Sequence, residues 1–75
     1  MTHAVLYKDL YQGEDFVTGP FVSREAALEW ALARQKEVGS WDSSYRIPNT
    51  EEPLQIEDTE GDLVHEWTVL ELCQP

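Results

Sequence analysis

Acidic side chains dominate the stretch TEEPLQIEDTEGDLVHE, which covers residues 50–66. It contains seven carboxylates and no lysine or arginine: Glu51, Glu52, Glu57, Asp58, Glu60, Asp62 and Glu66. Carboxylates at this density could transfer protons, ligate a metal ion or present a charged surface to a partner. Because acids are so plentiful, no single pair of them indicates general acid–base catalysis.

Metal ligation can be tested against the spacing of these residues. The segment DTEGD comes nearest to a calcium loop, but such a loop has glycine at its sixth position and glutamate at its twelfth. Counting back from Gly61 places Ile56 at the first ligand position, so a turn is the better interpretation. Zinc requires several Cys or His ligands at short spacing. The chain offers only His3, His65 and Cys73. The sequence therefore predicts neither a metal nor another cofactor.

Nucleophilic catalysis has no better support in the sequence. Ser40, Ser43 and Ser44 lie in a loop-like segment, without the strand–turn–helix elbow that presents a nucleophile. No glycine run followed by lysine provides a phosphate loop. A chain of 75 residues should also struggle to enclose a substrate pocket of a few hundred Å³. We therefore expect that the protein is not an enzyme. We expect His65, on the same predicted strand as Trp67, to be a partly buried packing residue.

The net charge of −10 is unevenly distributed along the chain. Residues 1–46 hold seven acidic and five basic residues, whereas residues 47–75 hold eight acidic residues and no lysine or arginine. Such a field repels nucleic acid and anionic lipid and attracts basic protein surfaces, so direct nucleic-acid binding is not expected. Solubility or adaptation to high salt is an alternative reason for the charge, although adaptation alone should acidify both halves.

Length and composition predict a single acidic domain spanning residues 1–75. Hydrophobic residues make up 41% of the chain and include three Trp, three Tyr and two Phe, enough to build a core. No apolar run approaches the roughly 20 residues of a membrane span, and the first residues lack the features of a signal peptide. The single cysteine, Cys73, excludes an intrachain disulfide. We therefore expect a cytoplasmic protein without membrane contact, located in the host cytoplasm if its source is a virus.

Residue patterns predict a small α+β domain with the element order ββαββ. Residues 4–11 and 16–22 are rich in β-branched and aromatic residues and flank a turn at QGED, which indicates a hairpin. The segment 23–39 has helical spacing, with Ser23 as N-cap and Gly39 as C-terminal stop. LQIED and LVHEWTVLEL flank a turn at TEG and indicate a second hairpin. One helix would then cover one face of an antiparallel sheet of about four strands.

Pairing within the two predicted hairpins divides their side chains between two faces. We expect residue 58 to pair with 63 in the second hairpin, and 11 with 16 in the first. The face expected beneath the helix carries Leu54, Ile56, Leu63, His65, Trp67 and Val69 together with Ala4, Leu6, Leu10, Val17 and Phe21. The face expected to stay uncovered carries Tyr7, Tyr11, Phe16, Leu70 and Leu72 beside Asp9, Glu57 and Glu66. A slip of one residue would exchange the faces.

The remaining tryptophans are expected outside this sheet. Trp30 is expected to point away from the buried arc of the helix. Either Arg34, one turn later, stacks on its ring as a cation–π pair, or Trp30 forms a second contact point for a partner. Trp41 is expected to anchor the loop after the helix. Base stacking by the exposed rings is disfavoured, because RNA-recognition sheets surround their aromatics with Lys and Arg rather than acids.

An uncovered face of aromatic and acidic residues predicts docking onto a basic protein patch, because apolar anchors supply affinity and carboxylates steer the encounter. The alternative is that Tyr7, Tyr11 and Phe16 pack on one another or beneath the loop 40–53. The expected contact residues are Tyr7, Asp9, Tyr11, Phe16, Glu51, Glu52, Glu57, Asp58, Glu60, Asp62 and Glu66. Small acidic domains without catalytic residues are typical of viral inhibitors of host defence. We therefore expect a protein-binding inhibitor that occupies the basic surface of a nucleic-acid-binding protein or nuclease: a DNA mimic or phage-type anti-defence protein such as an anti-CRISPR. A homodimer, an accessory subunit and a housekeeping domain of a salt-adapted organism are the alternatives.

Overall fold

The computed structural model describes residues 1–72, which form four strands and one helix. These are β1 (His3–Asp9), β2 (Glu14–Phe21), α1 (Arg24–Gly39), β3 (Leu54–Glu57) and β4 (Leu63–Glu71). The strands form one antiparallel sheet in the order β2-β1-β4-β3, and α1 packs against it. The predicted α+β class and ββαββ order are therefore confirmed. Cys73 lies outside the described residues.

The β1–β2 hairpin turns earlier than the sequence pattern indicated. Its turn covers residues 10–13, where the Asp9 side chain accepts hydrogen bonds from the amides of Tyr11 and Gln12, both at 3.1 Å. Gly13 supplies the left-handed backbone with a φ of 75°, a conformation that glycine adopts without a Cβ clash. As a result Tyr7 lies opposite Phe16, and the expected pairing of Tyr11 with Phe16 is wrong.

The β3–β4 hairpin follows its predicted register over most of its length. Leu54 lies opposite Trp67 and Ile56 opposite His65, as expected. A bulge then places Glu57 opposite Leu63, so the expected pairing of residues 57 and 64 is wrong. The Asp58 side chain accepts hydrogen bonds from two amides within the following turn, which explains the local distortion.

Helix α1 has the predicted ends because both are capped locally. The Ser23 hydroxyl accepts a hydrogen bond from the Ala26 amide at 3.1 Å, and the Ser40 amide donates to carbonyls of the last turn. Its buried residues recur at helical spacing: Ala27, Ala31, Gln35 and Val38. Gln35 is a polar member of the core, and its Nε2 donates to the carbonyl oxygens of Asn49 and Gln55, both at 3.0 Å. These bonds tie the helix to the loop before β3 and to β3 itself.

The pairing of β1 with β4 decides which side chains face α1. Val5 lies opposite Val69, and Tyr7 lies opposite Trp67. Directly opposed residues share a face of the sheet, so Val5 and Tyr7 lie on the helix side together with Trp67. The expectation that Tyr7 belongs to the uncovered face is wrong.

The rest of the first hairpin is corrected in the same way. Asp9, Phe16 and Thr18 share the helix side with Tyr7, whereas Leu6 and Val17 lie on the uncovered face. Both sides of β1 are apolar, but the side with Val5 and Tyr7 removes more apolar area from water when α1 covers it. The uncovered face therefore carries mixed residues: Ala4, Leu6, Lys8, Asp15, Val17, Gln55, Glu66, Thr68 and Leu70.

Of two further residues expected beneath the helix, Leu10 and Phe21, only Phe21 lies there. Leu10, expected beneath the helix, lies in the β1–β2 turn and is exposed. A bulge between His3 and Val5 brings Phe21 to the helix side, as expected, with its ring centre 5.7 Å from that of Trp30. In residues 1–72, no helix is both long and apolar enough to cross a lipid bilayer.

Candidate functional site

An aromatic cleft of about 420 Å³ opens between α1 and the β1–β2 side of the sheet. We define the aromatic cleft by its lining residues: Tyr7, Phe16, Thr18, Trp30, Arg34, Trp41 and Trp67. It exists because residues 14–20 of β2 are exposed, so the helix does not cover the outer strand. The cleft is open rather than enclosed, because the exposed edge of the sheet contributes one wall. The expectation that so small a chain would struggle to enclose a pocket of this size therefore stays a prediction.

The floor of the aromatic cleft is a row of stacked rings that crosses three strands. Tyr7 of β1 lies centrally, with its ring centre 5.0 Å from that of Trp67 and 5.9 Å from that of Phe16. The row follows directly from the register, in which Tyr7 lies opposite both residues. Trp67 is only 2% exposed, whereas Phe16 is 50% exposed. The row therefore runs from the core to the surface and provides a rigid apolar platform.

Beside this platform, on the same face of the sheet, the Tyr7 hydroxyl and His65 Nδ1 form a hydrogen bond of 2.7 Å. Burial lowers the pKa of His65 below its ordinary value, although the Asp9 carboxylate opposes the change. Burial, followed by Asp9, raises the pKa of Tyr7, while Arg34 opposes that change. Both groups are therefore neutral near pH 7, with the Tyr7 hydroxyl donating to the imidazole. The pair fixes the floor of the cleft, and His65 is the packing residue that the sequence predicted.

The opposite wall of the aromatic cleft comes from α1 and the residues just after it. The Arg34 guanidinium carbon lies 6.0 Å from the centre of the Trp30 ring, which confirms the predicted cation–π contact. Arg34 Nη1 also donates to Glu37 at 2.9 Å. Trp41 was expected to anchor the loop, but its ring lines the cleft and is 61% exposed. The exposed ring of Trp41 thus lies at the rim, while the floor runs from buried Trp67 to half-exposed Phe16.

The two hairpin turns lie side by side at one end of the sheet. The Leu10 amide donates to the Val64 carbonyl at 3.0 Å, which joins the first turn to the start of β4. Tyr45 lies between the turns: burial raises the pKa of its hydroxyl, and nearby Asp42, Asp9 and Asp58 raise it further. We call this region the acidic end. It contains Asp9, Glu14, Asp15, Asp42, Glu57, Asp58, Glu60 and Asp62.

The negative potential of the acidic end is only partly offset by cations. Of the chain's five lysines and arginines, Lys8 belongs to the same end of β1, and Arg46 pairs through its backbone with Glu57. Eight carboxylates therefore outnumber the basic residues near this end, which are Lys8, Arg46 and Lys36 of the last turn of α1. Helix α1 also ends nearby, because Gly39 packs against Ile47 and Ile56. The carbonyl end of a helix carries partial negative charge and adds to the field.

The acidic segment 50–66 does not form one patch. Glu51 and Glu52 precede β3, and the extended chain from Glu52 to Glu57 spans about 17 Å. Glu52 is also occupied: it pairs with Arg24, and its Oε1 accepts a hydrogen bond from the Val69 amide at 2.6 Å. This side-chain hydrogen bond satisfies the Val69 amide of β4 at a point just before β3 begins. Glu52 therefore has a structural role, and the acidic end owes three of its members to the first hairpin instead.

Other predicted contact residues are also separated by the fold. Glu66 lies on the uncovered face, opposite Lys8, and accepts a hydrogen bond from Gln55 at 3.2 Å. Leu70 shares that face, as expected, but Tyr7 and Phe16 do not. The expected uncovered face of aromatics beside Glu66 is therefore wrong. Tyr11 lies in the β1–β2 turn and is 80% exposed.

Sequence reasoning missed the cleft because its residues come from four separate elements. Phe16 and Thr18 come from β2, and Trp67 comes from β4. The i, i+4 spacing of Trp30 and Arg34 was a usable signal for one wall. Nothing local indicated that this wall faces Phe16, because that depends on how the hairpins pair.

Metal chemistry and similarity to known proteins complete the description of the site. Within the described part of the chain, no three His, Cys, Asp or Glu residues are grouped so as to hold a metal ion. Comparisons with family models, curated proteins and solved structures gave no match.

Proposed function

We propose that this protein is an acidic binding module that docks its acidic end onto a basic, nucleic-acid-binding surface of another protein and inhibits it. One observation carries the proposal: the fold gathers carboxylates from both hairpins at one end of the sheet, where they outnumber the basic residues. These acids come from segments that are distant in the sequence. Their convergence therefore exceeds what general acidity of the surface requires.

Physical chemistry favours a protein partner over nucleic acid or a membrane. A chain with a net charge of −10 would repel the phosphate groups of nucleic acid and those of a membrane surface. Arginines and lysines that bind phosphates also bind carboxylates, arginine in the same bidentate geometry. Adjacent strands lie about 4.8 Å apart, so acids on neighbouring strands present closely spaced charges to such a surface. A nuclease or another nucleic-acid-binding protein is the partner class, and DNA mimics, including phage anti-defence proteins such as anti-CRISPRs, act in this way.

Displacement of nucleic acid tests the proposal. A fluorescently labelled DNA duplex is bound to each member of a panel of purified nucleases and other nucleic-acid-binding proteins, and its anisotropy is followed as the acidic protein is added. We expect displacement from at least one member, with an affinity that falls about tenfold or more between about 50 and about 200 mM salt. No displacement from any member, or displacement that ignores salt, would contradict the proposal.

Two matched charge variants locate the surface. The first neutralises exposed acids at the acidic end: Glu14→Gln, Asp15→Asn, Glu60→Gln and Asp62→Asn. The second neutralises exposed acids elsewhere: Glu25→Gln, Glu29→Gln, Glu51→Gln and Glu71→Gln. Both change the net charge by the same amount. We expect the first to weaken displacement at least about tenfold and the second much less, because short-range charge pairs dominate at physiological salt. Equal weakening would show that only net charge matters.

A further inference from the structure

We propose that β2 is a docking strand for an extended, basic peptide segment of the partner, which adds a fifth strand to the sheet and inserts one apolar side chain into the aromatic cleft. The inference rests on the proposed function, because it assumes a basic protein partner. It specifies the form in which that partner is bound.

The backbone of β2 is available for strand addition. In residues 1–72, only β1 pairs with β2, which forms one edge of the sheet. Every second residue of an edge strand directs its N–H and C=O groups outwards, where another strand can pair with them. The available stretch is Glu14 to Gly19, because Pro20 has no N–H group to donate. Six residues match the length of a typical peptide strand.

Side chains beside this edge provide an apolar anchor site. Phe16 and Thr18 face the aromatic cleft, whereas Val17 between them faces the opposite side. A strand added about 4.8 Å from β2 would place the residue opposite Phe16 on the cleft side. There it can contact the exposed rings of Phe16 and Trp41. A volume of about 420 Å³ lies within the range of small-ligand sites and accommodates one large side chain.

Charge decides between the occupants of this edge. Glu14 and Asp15 on β2, with Asp9 opposite Glu14, favour lysine or arginine on the added strand. Arg34 lines the cleft itself, so the inserted side chain should be apolar rather than cationic. A second copy of the chain would bring its own net charge of −10 and repeat the same acids at the contact. A basic segment with an aromatic anchor therefore fits better than a homodimer.

The test uses a defined probe, the peptide acetyl-Lys-Lys-Val-Phe-Val-Lys-Lys-amide, titrated into the intact protein by calorimetry. We expect saturable binding, with NMR shifts concentrated on β2 and the aromatic cleft. Phe16→Ala and Trp41→Ala should each weaken binding about tenfold, as truncation of a central aromatic anchor does. Val17→Ala is the matched control, since Val17 is on the same strand, is 66% exposed and faces away from the cleft. It should change binding less than about twofold.

Backbone pairing is tested with two N-methylated peptides. Methylating alternate amides on one edge of the peptide should abolish binding, because those N–H groups pair with β2, whereas methylating the other edge should leave it intact. Equal effects of the two methylation patterns, or of Phe16→Ala and Val17→Ala, would overturn the inference. So would a β2-paired dimer in sedimentation equilibrium that excludes the peptide.

The two proposals fail in distinguishable ways. Displacement of nucleic acid that depends on Glu60 and Asp62 but ignores Phe16→Ala and Trp41→Ala would leave the proposed function standing and overturn the docking strand. Peptide binding with the full expected pattern, but without displacement of nucleic acid from any panel member, would overturn the inhibitory function and support the docking strand.

Discussion

The two edges of the sheet are built differently. Strand β3 is short, its apolar residues Leu54 and Ile56 are fully buried, and its outer side pairs with Arg46 in an isolated bridge. Strand β2 is twice as long and is exposed from residue 14 to residue 20. Short or covered edges protect a sheet from unwanted strand pairing. The contrast shows that β3 is a protected edge, whereas β2 is an exposed edge, which is the edge that the proposed docking strand requires.

The path of α1 explains this difference. The helix begins beside Phe21 at the end of β2 and ends over Ile56 of β3. It therefore crosses the sheet obliquely and leaves the first part of β2, including Phe16, without cover. One helix of 16 residues cannot cover four strands, so the position of its crossing determines where the aromatic cleft lies.

The largest expected effect is a difference in stability between substitutions at the two ends of the row of stacked rings. Trp67→Ala should lower the free energy of unfolding by about 3–5 kcal/mol, because it leaves a cavity in the core. Phe16→Ala should lower it by less than about 1 kcal/mol, since half of its surface already faces water. Urea unfolding followed by circular dichroism measures both. Similar losses for the two variants would contradict the distinction between the buried end of the row of rings at Trp67 and its exposed end at Phe16.

A smaller effect is expected at the polar member of the core. Gln35→Ala removes the donor for two carbonyl groups, those of Asn49 and Gln55, and should lower the free energy of unfolding by about 1–3 kcal/mol. Lys36→Ala, at the exposed neighbouring position, is the matched control in the same urea experiment. A loss no greater than that of the control would mean that the stability of the core does not depend on these two hydrogen bonds.

The smallest expected effect depends on pH and concerns His65, which lies beside Tyr7 in the row of stacked rings. Because its pKa is lowered in the folded protein, the unfolded chain binds the proton more strongly. The stabilising contribution of neutral His65 is therefore complete above about pH 6.5, the ordinary pKa of the unfolded chain. It is lost as the pH falls from there through the lowered pKa of the folded protein. His65→Gln should reduce the difference between urea midpoints at about pH 8 and about pH 5.5. His3→Gln is the matched control, and an unchanged difference in the His65 variant would contradict the expectation.

Local patterns predicted the elements well but the faces only in part. Ser23 and Ser40 cap a helix whose apolar spacing was already visible, and polar and apolar residues alternate clearly in β3. In AVLYKD of β1, by contrast, both sides of the strand are apolar. Alternation could not indicate which side faces α1, and the predicted face of the first hairpin was wrong for that reason. The predicted turn segment QGED contains Gly13, but the pattern did not indicate that the side chain of Asp9 begins the turn by accepting two amide hydrogen bonds.

The sequence by itself determined the net charge, the five elements, the N-cap of the helix and most of the second hairpin, because these depend on residues that are near one another in the chain. Only the tertiary structure decided that β1 pairs with β4. That pairing brings both turns to the acidic end and places Tyr7 between Phe16 and Trp67. The choice depends on the apolar area that the whole sheet can bury beneath α1, a comparison of free energies between distant segments that no local pattern records.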